Sequence, residues 1–249
     1  MRTLAILGLL GCMAIPLHAT PTVEVADFFW REDGIDHVVK IAWDGRMLRV
    51  DTPFHQFAVI ADTQIQDYTG LEIRDAKFWH FSWPRIKSVI DKSRQHTTEL
   101  NTPLLSDSSK PNSSIATPTY VWTKTSSLKS IGAVRCQLWE TTDEYQRRVR
   151  LWCSAEAGAP SRELWKNYLA TEEILKLVAV RTLGPSLSPA AFAALPENAG
   201  SPLEITVGDE EDSDRLSLKE LHQVPPSPDL FQPPHYYELS PLAALEGVE

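Results

Sequence analysis

Asp62, Asp67, Glu72, Asp75 and His80 fall within one short stretch, and carboxylates beside an imidazole are the raw material of acid–base catalysis or of a metal site. Their spacing matches no strong motif, and acids at outward positions of strands are ordinarily solvated, so the group reads as polar strand ends. The run Asp209-Glu210-Glu211-Asp212-Ser213-Asp214 has oxygen ligands enough for calcium but lacks the glycine and distal glutamate of an EF-hand loop. It reads as a solvated turn. His37, His55, His80, His96, His222 and His235 are scattered without metal-ligand spacing, and no Walker loop, His-Glu-x-x-His, Gly-x-Ser-x-Gly or Cys-x-x-Cys occurs. The expectation is a non-enzymatic protein with no catalytic residue, metal or cofactor.

Two feature sets remain. Cys136 and Cys153 can face each other across a hairpin as a structural disulfide; they lack the close spacing and electropositive setting of a reactive pair. That register sets Leu138 opposite Leu151, Glu140 opposite Val149 and Val134 opposite Ala155. It leaves Asp143 to Gln146 as a four-residue loop and puts Trp139 beside Arg150. The second set is aromatic. Trp79, Phe81 and Trp83 share one strand face, with Trp43 on an earlier strand and Phe28, Phe29 and Trp30 upstream. Trp43, Trp79, Phe81 and Trp83 are the candidate ligand-binding residues, since a sheet lined with rings could receive an apolar ligand. Core packing is the competing use of the same rings.

The elements that would position these residues are mostly strands. Val39, Ile41 and Trp43 alternate with other residues up to Asp44-Gly45, and Arg46 to Val50 follows, which predicts a hairpin with Ile41 opposite Leu48, Val39 opposite Val50 and Lys40 opposite Arg49. Strands are predicted at 57–61 and at 70–83, the latter broken near Asp75 and ended by Pro84. A short helix is predicted over 86–95. The stretch 96–118, rich in Ser, Thr, Asn and Pro, reads as a mobile linker. Ser161 is placed to cap a helix carrying Leu164, Trp165, Tyr168 and Leu169, which Gly184-Pro185 stops, and Ser188-Pro189 begins a short helix to Leu195. Strands at 202–208 and 215–224 and an extended proline-rich tail close the chain.

Arg2, the apolar run Leu4 to Leu10 and His18-Ala19 have the layout of a secretory signal peptide over 1–19, cleaved after Ala19. Leu9-Leu10-Gly11-Cys12 offers the alternative of lipidation at Cys12. The expected location is periplasmic or secreted, or, with Cys12 acylated, an outer-membrane lipoprotein tethered at its start. The 249 residues carry a formal net charge of −9, and removing the leader takes away Arg2 and no acid. So acidic a chain repels phosphate backbones, which argues against nucleic acid as a partner.

The order of these elements, and above all Pro202-Leu203-Glu204-Ile205, then Leu216 to Val224, then Pro228-Asp229-Leu230-Phe231-Gln232-Pro233-Pro234-His235-Tyr236-Tyr237, resembles a bacterial envelope family of unknown function related to the outer-membrane lipoprotein carriers. The resemblance implies an α+β fold, a strongly curved antiparallel half-barrel with helices covering its concave face. It divides the chain into 20–95 and 119–237 as two parts of the half-barrel, the linker 96–118, a helical insert 160–197 and a tail 238–249. It implies an apolar or acyl-chain ligand, a lipoprotein segment or an envelope protein as partner, and brings no catalytic residues. The alternative is a structural module with a solid core. The oligomeric state is left open.

Overall fold

The computed structural model describes residues 22–32, 35–52, 56–85, 87–88, 120–177, 187–208 and 213–240. The expected signal peptide, Cys12, the linker 96–118 and the last tail residues lie outside them, as does most of the helix expected over 86–95. Among the described residues, twelve strands form one open sheet. The first six run as a meander: β1 (Val23–Glu32), β2 (Ile35–Trp43), β3 (Met47–Thr52), β4 (Phe57–Asp62), β5 (Asp67–Glu72) and β6 (Lys77–Ser82). The second meander comprises β7 (Thr123–Ile131), β8 (Val134–Thr142), β9 (Arg148–Ser154), β10 (Ser201–Val207) and β11 (Asp214–Val224), with α1 (Arg162–Leu177) and α2 (Pro189–Ala193) between β9 and β10. The two meanders join where β1 pairs with β11. All these pairings are antiparallel; only the two-residue β12 (Glu238–Leu239) runs parallel, along β6.

Turn chemistry sets each register. In the first hairpin Gly45 has φ 101° and stands first of the two tip residues, where glycine alone is unstrained. The Asp44 carboxylate accepts hydrogen bonds from the Arg46 and Met47 amides at 2.8 and 2.6 Å. The tip is therefore Gly45-Arg46, one residue later than Asp44-Gly45, and Ile41 lies opposite Val50 and Trp43 opposite Leu48. A shift of two in pairing keeps every side chain on its expected face. It also corrects all three expected pairs: Leu48 lies opposite Trp43 and not Ile41, Val50 opposite Ile41 and not Val39, and Lys40 opposite Asp51 and not Arg49.

The second hairpin differs by one. The Gln146 amide donates to the Asp143 carbonyl, the Asp143 amide donates to the Arg147 carbonyl, and Gln146 has φ 64°. This is a three-residue loop, Glu144 to Gln146, with a left-handed last residue, where a four-residue loop was expected. An odd change flips faces: Gln137 pairs with Cys153, Trp139 with Leu151 and Glu140 with Arg150. The expected pairing of Cys136 with Cys153, and of Trp139 with Arg150, is thereby overturned. The stretch 70–83 likewise divides into the end of β5, a turn over 73–76 and β6, and Val23–Glu32, not foreseen as a strand, becomes central to the sheet.

One face of the sheet carries the main core. Ala26, Phe28 and Trp30 of β1, Val39, Ile41 and Trp43 of β2, and Val149, Leu151 and Cys153 of β9 share a buried cluster with Leu164, Trp165, Tyr168 and Leu169 of α1. The helix side chains recur at the three- and four-residue spacing that lines one helical stripe. Ser161 Oγ accepts from the Leu164 amide at 3.1 Å and starts α1; Ser188 Oγ accepts from the Ala191 amide, with Pro189 beginning α2. The stripe packs on β2, β3 and β10, and the Trp165 indole donates to the Pro202 carbonyl at 2.8 Å. On the opposite face, the segment after β11 lays Leu230, Phe231 and Tyr237 against Val25, Ala42, Ala58, Ile60 and Leu71. Arg49 donates to the Leu230 carbonyl at 2.9 Å. The described part of the tail, through Ser240 and expected simply to be extended, is a strap docked on the first meander.

Candidate functional site

The ring row occupies β4, β5 and β6 on the core face. Gly70 is the cross-strand partner of Trp79 and has no side chain, so the indole lies over β5 and reaches Phe57 on β4, with ring centroids 5.9 Å apart. Trp79 also stacks with Phe81 at 5.4 Å, and Phe81 with Tyr68 at 5.1 Å. Of the four candidate ligand-binding residues, Trp79 and Phe81 are 5% and 2% exposed, Trp43 9%, and Trp83 is partly buried against the same cluster. The sequence thus brings all four to one apolar face. Burial pushes the Tyr68 hydroxyl up to about 12, so it stays protonated and serves as one more apolar wall. Phe28 and Trp30 join this core, whereas Phe29 points to the other face, half exposed, with Lys219 above its ring.

The polar cluster of the sequence divides in two. Asp62, Asp67 and His80 lie at one end of β4–β6, Glu72 and Asp75 at the other, both exposed. The Arg46 guanidinium beside Asp62 holds its carboxyl below the usual range, overcoming burial, with help from the Gln64 and Ile65 amides. This carboxylate anchors a loop. His80 lies 3.2 Å from Asp67 and 3.3 Å from Thr69 Oγ1, a hydroxyl–imidazole–carboxylate line on the exposed outer face. Among the described residues no group of three or more His, Cys, Asp or Glu side chains could hold a metal ion.

Cys136 and Cys153 are free thiols, both buried, on opposite faces of the β8–β9 hairpin. Burial pushes both thiols above their ordinary value, which disfavours the thiolate. Neither a staple nor a redox pair results.

One assembly was not foreseen in the sequence. On the outer face, β-pairing aligns Glu140, Arg150, Thr206 and Arg215 of the second meander with Arg31 and Asp36 of the first in a single row across six strands. The adjoining row holds Leu138, Trp152, Glu204 and Ser217. Glu204 is buried; its oxygens accept from Lys129 at 2.7 Å, Arg215 at 2.7 Å and Ser217 at 3.0 Å. Burial alone would raise its carboxyl, but Lys129 and Arg215 outweigh that and hold it below the ordinary glutamate value. Lys129 also stands 4.4 Å over the Trp152 ring. Between these rows opens a groove of about 380 Å³ with Arg148 on its rim.

No family model matches the chain, and no curated protein does. Among solved structures, PNGF-II in a C2 crystal form aligns with 88% of this chain at 8% identity and a TM-score of 0.38, and in a P21 form with 88% at 7% and 0.39. In both, this chain spans 31% of the other's length. An uncharacterized conserved protein from Thermus thermophilus aligns over 89% of this chain and 91% of its own, at 6% identity and a TM-score of 0.37.

Proposed function

We propose that the protein is an exported envelope protein related to the outer-membrane lipoprotein carriers, a curved half-barrel whose concave face α1 and α2 cover, and that it holds an apolar ligand without chemistry. The ligand class is an acyl chain or the acylated segment of a lipoprotein. One observation carries the reading: the continuous row Phe57, Trp79, Phe81 and Tyr68 lies on β4–β6, beyond the β2, β3 and β10 surface on which α1 chiefly packs. An acyl chain aligned along this row exchanges ring–ring contacts for ring–methylene contacts at little cost.

The test is native mass spectrometry, with lipid extraction, of the protein purified from its own envelope. The expected result is a co-purifying apolar species that Trp79→Ala loses. A ligand-free protein that also fails to take up a fluorescent fatty acid overturns the reading. The mass of the same preparation distinguishes cleavage after Ala19 from acylation at Cys12. The deep burial of Trp79 and Phe81 favours a second reading, a partner-binding module with a filled interior. In that case the fatty acid is refused, and a pull-down loses its partners when 225–249 is removed.

A further inference from the structure

We infer that the outer apolar face under the strap is a peptide-docking site, occupied in the free protein by the chain's own segment 225–240 and open to a partner's segment of the same chemistry. This face lies opposite the ring row, so the inference is independent of the apolar-ligand reading. Phe231 packs against both outer clusters, the one with Val25 and Ala42 and the one with Ala58, Ile60 and Leu71. With the strap in place those five side chains are at most 4% exposed, whereas no residue of 225–240 is itself fully buried. The strap therefore lies on the sheet as a bound peptide would. The cover on the other face differs, since Leu164, Trp165 and Tyr168 of α1 are wholly buried.

The strap's polar hold can be broken without stranding a charge. Arg49 donates Nη1 to the Leu230 carbonyl at 2.9 Å, but its Nε and Nη2 are on Asp51 at 3.0 and 2.9 Å. When the strap leaves, the guanidinium keeps its carboxylate. The two-residue β12 is flanked by a bond from the Glu238 amide to the Ala76 carbonyl at 2.9 Å and one from the Ser240 amide to the Phe78 carbonyl at 2.7 Å. Both carbonyls stand at the sheet edge, where water can replace the lost donors. Within the strap the Leu230 amide donates to the Ser227 carbonyl and the Tyr237 amide to the Pro234 carbonyl. Pro225, Pro226, Pro228, Pro233 and Pro234 fix φ, so the segment has few conformations to lose on docking.

The seat selects its occupant. The Ala76 and Phe78 carbonyls take amide donors from an extended backbone, and Arg49 takes a backbone carbonyl; an acyl chain has neither. Strand addition of this kind draws affinity from the main chain and specificity from the side-chain seats. The partner is an extended, proline-bearing peptide with an adjacent apolar pair like Leu230-Phe231 and an aromatic residue at the spacing of Tyr237.

Titration of the full chain with a labelled synthetic peptide of residues 225–240, followed by fluorescence anisotropy, tests the site. The tethered strap competes at an effective concentration on the order of mM, so the wild type binds the peptide weakly. Phe231→Ala in the chain loosens the resident strap and raises peptide affinity ten-fold or more; Tyr237→Ala gives the same gain should the first variant misfold. A peptide that itself carries Phe231→Ala binds neither. In the wild type, the Glu238 and Ser240 amides exchange with deuterium before those of β4 and β5. The proposal is overturned by the absence of saturable binding to both variants, by affinity no higher in them than in the wild type, or by equal binding of a scrambled peptide. Exchange of the strap amides only together with the sheet overturns it as well. A fluorescent fatty acid that displaces the peptide assigns the face to acyl chains, and dimerisation of the variants without peptide binding assigns it to a second copy; either result also overturns the proposal.

Discussion

Gly70→Ala probes the ring row with a single methyl group. A Cβ built at Gly70 falls 1.9 Å from Trp79 Cζ2, 2.1 Å from Cε2 and 2.4 Å from Cη2, against an ordinary carbon–carbon separation of roughly 3.5–4.0 Å. The indole must therefore retreat by more than an ångström, and it is stacked with Phe57 and Phe81. Losing both stacks costs about 1–3 kcal/mol, and forcing a methyl into a packed site costs about 1–3 kcal/mol by itself. Gly70 is not in the left-handed region, so alanine returns about 0.4–1 kcal/mol by restricting the unfolded chain. The net expectation is a loss of about 2–4 kcal/mol, which for a chain of this size lowers Tm by roughly 4–16 °C. Urea unfolding followed by far-ultraviolet circular dichroism measures it. Trp79→Leu alone is destabilising, but adding Gly70→Ala to that background costs under about 1 kcal/mol, because the space over β5 has been vacated. A neutral Gly70→Ala, or one equally costly in both backgrounds, refutes the placement of the indole across β5 and with it the ring row.

Three further outcomes follow from the same geometry. Glu204→Gln costs about 1.5–3 kcal/mol at pH 7 through its charge-assisted hydrogen bonds. Its folded carboxyl lies below the ordinary value, so this contribution is complete above the unfolded pKa of about 4.3 and is lost as pH falls through the folded value. Equal gaps between wild type and variant at pH 7 and in strong acid refute the clamp. Cys136 and Cys153 both react with a thiol reagent in denaturant and neither does so in the native protein; an intact mass lower by two hydrogens contradicts the register. Phe231→Ala, which loosens the strap from both outer apolar clusters, costs about 1–3 kcal/mol and raises binding of a hydrophobic dye, whereas an unchanged urea midpoint argues against a docked strap.

What the sequence made legible divides by the parity of the turns. In the β2–β3 hairpin the true tip lies one residue further on than expected, and the pairing moves by two. Val39, Ile41 and Trp43 still face the core together with Leu48 and Val50, so the apolar alternation was a sufficient guide. In the β8–β9 hairpin the loop is shorter by one residue because Gln146 takes a left-handed conformation with no glycine or asparagine to announce it. That single residue carries Cys136 and Cys153 to opposite faces, and the agreement between a disulfide and a hydrophobic pattern was coincidence: Leu138 is buried on the outer face and Leu151 on the inner, so apolar residues occupy both sides. The shared face of Trp79 and Phe81 was legible since both lie on one strand, where period two alone fixes the face. The arginine row could not survive such an error. Its alignment depends on the β8–β9 loop, the β9–β10 irregularity beside Pro202 and the long-range β1–β11 pairing at once, and a one-residue change in any of them would disperse the guanidinium groups between the two faces.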